Sequence, residues 1–108
     1  MSQFSLDDLV AIIKARREAS AAQSYTKSLF EAGPPRIARK FGEEAVEAII
    51  ATLDGDAAAL TAEAADVLYH LLVLLEARGV ALADVLRELE KRTSQSGHAE
   101  KGAREAPR

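Results

Sequence analysis

The sequence predicts an all-α fold, a four-helix bundle assembled as a homodimer, and three observations carry that prediction. Alanine and the aliphatic residues dominate while aromatics are 5% of the chain, which favours helix over sheet. Apolar residues recur at helical spacing in separate segments, each bounded by a cap or turn signal. The third segment is apolar on almost every side, and a helix apolar all round is buried all round. Three short neighbours do not readily enclose it. A symmetric dimer is therefore preferred over a tight monomeric bundle.

The first helix starts at Ser5, a good N-cap, with Asp7 and Asp8 in the first turn where the helix dipole favours anions. Leu6, Leu9, Val10, Ile12 and Ile13 give its apolar face, and the pattern fades near Ala22. In the following "SYTKSLFEAGPPR", Leu29 and Phe30 suit a short turn or an extra helix. Gly33, Pro34 and Pro35 end that stretch, and proline is well placed to open the second helix, from about Pro35 to Leu53. "DGD" at 54–56 is a tight turn whose Asp56 can cap the third helix, which runs to about Arg78 and stops at Gly79. The fourth helix carries Leu82, Val85, Leu86 and Leu89 and ends near Arg92; Ala81 stands where a polar cap is expected. The domain is thus placed at 1–93, followed by a flexible polar tail at 94–108.

Composition excludes some functions. Among 108 residues there is no cysteine, hence no disulfide framework and no thiolate metal site, which suits a reducing cytoplasm. A net charge of −3 argues against a nucleic-acid partner. The N-terminus lacks a basic start followed by an apolar run, so no secretory signal is read. The most apolar stretch, Val67 to Leu75, is far shorter than the roughly 20 residues that span a bilayer, so no membrane partner is expected.

Four carboxylates stand out against this apolar background. Glu44 and Glu47 are three apart on the second helix, and Glu63 and Asp66 are three apart on the third, so each pair shares a face. Gly55 lies eight residues after Glu47 and eight before Glu63, and eleven after Glu44 and eleven before Asp66. The short turn makes the two helices antiparallel, which sets Glu47 level with Glu63 and Glu44 level with Asp66. Glu44 also falls inside the arc of Ile37, Phe41 and Ala48. Four converging, partly buried carboxylates repel unless a counter-charge joins them. A divalent cation supplies it, and all-oxygen ligands suit Mg²⁺, Mn²⁺ or Ca²⁺. Mg²⁺ keeps positions open for water and phosphate oxygens, so a polyphosphate is the natural substrate class. The competing reading is a set of solvated charges paired with Arg36, Arg39 or Lys40. A di-iron centre is disfavoured, because no Glu-x-x-His occurs; His70 follows Asp66 by four and suits a supporting hydrogen bond, and His98 lies in the tail. Lys40, one turn before Glu43 and Glu44, is a candidate phosphate contact or a surface ion pair.

The pattern Glu-x-x-Glu, fifteen residues, Glu-x-x-Asp resembles the metal motif of the all-α nucleoside triphosphate pyrophosphohydrolases, the MazG-like superfamily. A longer resemblance is to the phosphoribosyl-ATP pyrophosphohydrolases. It rests on "SYTKSLFEAG" (24–33), "RIARKFGEEAVEAIIA" (36–51), "EAADVLYHLLVLLEARGV" (63–80) and "DVLRELEKR" (84–92). The resemblance implies hydrolysis of phosphoribosyl-ATP to phosphoribosyl-AMP and pyrophosphate, the second step of histidine biosynthesis, in a cytoplasmic ATP-binding enzyme. It implies Mg²⁺, with Mn²⁺ a substitute, held by Glu44, Glu47, Glu63 and Asp66. Glu43 belongs to the same motif and binds a second ion or orients water; Glu43 or Glu47 is the candidate base for the attacking water. Tyr25, Thr26 and Lys27, with Ser24, line the substrate pocket in the family reading, and a plain polar loop with one buried tyrosine otherwise. A house-cleaning pyrophosphohydrolase of free (deoxy)nucleoside triphosphates is the alternative; it would share the metal site and differ in the sugar and base pocket.

Overall fold

The computed structural model describes residues 3–20 and 24–94. Five helices fill them: α1 (Leu6–Arg17), α2 (Tyr25–Ala32), α3 (Pro34–Asp54), α4 (Ala57–Ala77) and α5 (Leu82–Thr93), with no strand among the described residues. The fold is all-α. It has one helix more than the four expected, because "SYTKSLFEA" is a helix rather than a turn.

Local chemistry sets the boundaries. Ser5 forms a full capping box, accepting from the Asp8 N–H at 3.1 Å while its own N–H donates to Asp8 Oδ2 at 2.9 Å. α1 ends at Arg17 rather than near Ala22: Ile13 is its last fully buried apolar residue, and Glu18, Ala19 and Ser20 offer no face to pack. Residues 21–23 lie outside the described residues. Ser24 caps α2 through the Lys27 N–H at 3.1 Å. Gly33 then closes α2 and opens α3 in one step at φ 95°, a conformation that side chains resist, with Pro34 and Pro35 filling the first α3 positions, where an N–H is not missed. Asp56 caps α4 from the Ala59 N–H at 3.0 Å. Ala81 leaves α5 without a side-chain cap. The tail expected from residue 94 lies, beyond Ser94, outside the described residues.

The antiparallel α3–α4 hairpin is the main packing unit, and α1 and α2 close over one end of it. The core is Ile13 of α1, Leu29 of α2, Ile37 of α3, and Leu72 and Val73 of α4. Ile37 and Val73 each stand eighteen residues from Gly55, so the core sits far from the turn and the acidic residues lie between the two. α4 is less enclosed than its composition demands. Only His70, Leu72 and Val73 are buried along it, and Leu68 is exposed. By length and a mean hydropathy of 1.6, α4 is long and apolar enough to cross a membrane; Val67–Leu75 is only its most apolar part. It also carries Glu63 and Asp66 and packs along α3. On α3, Val46, Ile49, Ile50 and Leu53 recur at helical spacing and are exposed, Ile49 at 57% and Leu53 at 81%.

Candidate metal centre and the adjoining pocket

Glu44 on α3 and Glu63 and Asp66 on α4 converge: each offers a carboxylate oxygen within 4.8 Å of the others. The hairpin register does this, since the α3 arc holding Ile37 and Phe41 also turns the half-buried Glu44 toward α4. Glu63, like Glu44, is half-buried. Its Oε2 is buried and has no hydrogen-bond partner. Its carboxyl is held above the ordinary value of 4.5. The first cause is the approach of the Glu44 carboxyl, which only a shared proton turns into a hydrogen bond; burial follows, then the negative charges of Glu44, Asp66 and Glu47. An acidic oxygen without a donor is costly to bury. Carboxylate oxygens from two helices around such an oxygen fit a hard divalent cation better than a transition metal that prefers sulfur or imidazole.

The other acidic positions stand apart from this trio. Glu47 is exposed; it acts on Glu63 through its charge but does not join the close cluster. Glu43 is exposed and pairs with Lys40, Nζ to Oε1, at 3.5 Å.

The "SYTK" segment is the cap and first turn of α2, not a loop. Thr26 is the buried member, 1% exposed, and Tyr25 is 52% exposed. The Thr26 hydroxyl is hydrogen-bonded to the Tyr69 hydroxyl. The Tyr25 hydroxyl lies 3.3 Å from Nε2 of His70, and His70 Nδ1 is 2.9 Å from the Asp66 carbonyl. A carbonyl can only accept, so Nδ1 carries the proton and, in the neutral ring, Nε2 accepts from Tyr25. His70 is buried at 4% exposure and ties the α2 tyrosine to the turn that bears Asp66. Lys27 uses its backbone N–H on Ser24.

Sequence reasoning missed Tyr69 and Arg16. Tyr69 stacks on Tyr25, with ring centroids 6.4 Å apart. Burial first, then the charge-sensitive contact with Tyr25, push its phenol above the ordinary 10.0, while Thr26 and Arg16 pull the other way. The signal was present: Tyr69 follows Asp66 by three, on the acidic face, inside a run read only as apolar.

Known proteins share this sequence over nearly its full length. Residues 6–93 match a family model described as phosphoribosyl-ATP pyrophosphohydrolase. A phosphoribosyl-ATP pyrophosphatase of Methylobacterium nodulans is 55% identical over 107 residues, covering 99% of this chain and 100% of the relative. One from Agrobacterium fabrum is 53% identical, with the same coverage of both chains. One from Rhizobium johnstonii is 51% identical over 106 residues, covering 98% of this chain and 99% of its own.

Proposed function

The chain belongs to the phosphoribosyl-ATP pyrophosphohydrolase family and is a hydrolase of it, and from that premise we propose that it hydrolyses phosphoribosyl-ATP to phosphoribosyl-AMP and pyrophosphate in histidine biosynthesis. The observation that carries the chemistry is the buried, unpartnered Glu63 Oε2 among carboxylates from two helices. Glu44, Glu63 and Asp66 hold Mg²⁺, with Mn²⁺ a substitute, and Glu47 joins them by a side-chain rotation from its exposed position one turn from Glu44. When bound, the ion withdraws charge from the phosphates and makes water a better nucleophile at neutral pH.

The chain's own residues do the rest. Glu47 or Glu43 accepts the proton of the attacking water, both being exposed carboxylates beside the cluster. Lys40 exchanges its ion pair with Glu43 for a phosphate oxygen, which frees Glu43 for that role. His70 holds the Tyr25 hydroxyl in place, and Tyr25, Thr26 and Lys27 line the substrate pocket. The active protein is a cytoplasmic homodimer with neither nucleic acid nor membrane as partner. The outer α3 stripe and the exposed side of α4 face the second copy, so the apolar length of α4 is spent on protein contacts. Residues 1–93 form the catalytic domain and 94–108 a polar tail.

The test is pyrophosphate release from phosphoribosyl-ATP with Mg²⁺, beside ordinary nucleoside triphosphates and an EDTA control. Turnover of phosphoribosyl-ATP alone, abolished by EDTA, is expected. Turnover of free triphosphates instead would keep the metal site and make the protein a house-cleaning enzyme. Folded protein silent on all substrates would refute both.

A further inference from the structure

A half-open cavity of about 510 Å³ is lined by Arg16, Ala19, Ser24, Tyr25, Thr26 and Tyr69. It gathers residues from α1, the start of α2 and the middle of α4. Its wall holds one cation, four hydroxyl-bearing residues and no carboxylate. Arg16 has no acidic partner among the described residues, whereas its neighbour Arg17 is committed to Glu76 at 3.6 Å and to the face of Phe30 at 4.4 Å. The Thr26–Tyr69 pair shares one hydrogen bond, so one of the two hydroxyls still has a proton to give. Ser24 accepts from the Lys27 N–H and can donate outward. A guanidinium with convergent hydroxyl donors and no competing anion is a site for a dianionic phosphate.

Its position adds a length. On α4, Tyr69 follows Asp66 by three residues and Glu63 by six, about 4.5 and 9 Å of helix axis. A ligand with anionic groups at both ends could therefore reach the metal carboxylates and this cavity together. Phosphoribosyl-ATP is such a molecule: one end is a triphosphate, and the other is the phosphomonoester of the added ribose, which ATP lacks.

We propose that Arg16, with the hydroxyls of Ser24, Thr26 and Tyr69, binds the phosphomonoester of the phosphoribosyl group, and so selects phosphoribosyl-ATP over free ATP. This rests on the functional reading above and assigns its specificity to a cavity apart from the metal ligands. Arg16 is a binding residue; it lies outside the carboxylate cluster and leaves the chemical step alone.

The experiment compares wild type with Arg16→Gln and Arg16→Lys, each checked for an unchanged thermal melt. Arg16 is exposed near the end of α1, and glutamine keeps the helix. With phosphoribosyl-ATP, Arg16→Gln is expected to lower kcat/KM by roughly 10- to 100-fold, mostly through KM, with Arg16→Lys between the two. Ribose 5-phosphate is expected to inhibit wild type competitively and not Arg16→Gln. An unchanged KM, or a loss confined to kcat with ribose 5-phosphate still inhibiting, would overturn the assignment. If wild type does not turn over phosphoribosyl-ATP at all, the functional reading fails, and calorimetric titration with ribose 5-phosphate still judges the cavity. Binding to wild type but not to Arg16→Gln upholds a phosphate site; no binding, or equal binding, removes it.

Discussion

Replacing Ile49 by alanine tests the proposed dimer and has a magnitude that follows from exposure. Ile49 sits mid-way along the α3 stripe with Val46, Ile50 and Leu53, and 57% of it is open in the single chain. The change removes three carbons, worth about 2.4 kcal/mol when fully buried. Only the open fraction is left for a partner to cover, so about 1.4 kcal/mol per copy is at stake. A two-fold axis makes the stripe meet itself or its neighbour twice, so the dimer loses about 2.7 kcal/mol, roughly a hundredfold in Kd. The isolated fold should lose only the remainder that is already covered in the single chain, about 1.0 kcal/mol. Sedimentation equilibrium over a concentration series reads the dimer Kd and urea unfolding reads the fold, with alanine chosen because it keeps helix propensity and adds no charge. Wild type should exceed the 11.6 kDa of one chain at micromolar concentration, and Ile49→Ala should move the midpoint about two decades upward. A wild-type mass of 11.6 kDa, or an unmoved midpoint, would refute the reasoning that the stripe is an interface.

Two further outcomes follow from the core and from Glu63. Ile37→Ala should cost about 2–5 kcal/mol in urea unfolding with an unchanged slope, because Ile37 is fully buried among four helices; a cost below about 1 kcal/mol would mean that the core lies elsewhere. Glu63 holds its proton longer in the folded than in the unfolded chain. Above 4.5, its ordinary value, the folded state therefore binds more protons, and metal-free stability falls as pH rises through the raised value. Thermal melts in EDTA should show that fall in wild type but not in Glu63→Gln, and Mg²⁺ should restore the wild type alone; identical pH profiles for the two proteins would contradict the assignment of Glu63 as the unpartnered carboxylate.

The sequence by itself determined four of the five helices, most of their boundaries and the level of the acids. Ser5, Gly33 with Pro34, Asp56 and Gly79 are local signals, satisfied within a turn or two of chain, so they can be read without knowing what packs on them. The equal spacings about Gly55 are also local, because a two-helix hairpin with a tight turn has little choice of register. That was enough to expect Glu44, Glu47, Glu63 and Asp66 to converge, and Glu44, Glu63 and Asp66 do. The carboxylates suggested a polyphosphate, and the family resemblance implied phosphoribosyl-ATP within that class.

Tertiary structure decided what depends on how the helices are rotated and what lies across from them. Which carboxylate oxygen loses its water is one case: Glu63 Oε2 is buried while Glu47, its equal in sequence, stays at the surface. A few tens of degrees of helix rotation decide that, and apolar periodicity does not fix rotation so finely when α4 is apolar on most sides. The pairing of Thr26 with Tyr69 and of Tyr25 with His70 spans more than forty residues, and the meeting of Arg16 with Tyr69 in one cavity spans more. No local preference encodes such contacts. They exist because α1 and α2 close over the hairpin at Ile37 and Val73, and the burial of that small core places the polar residues around its rim.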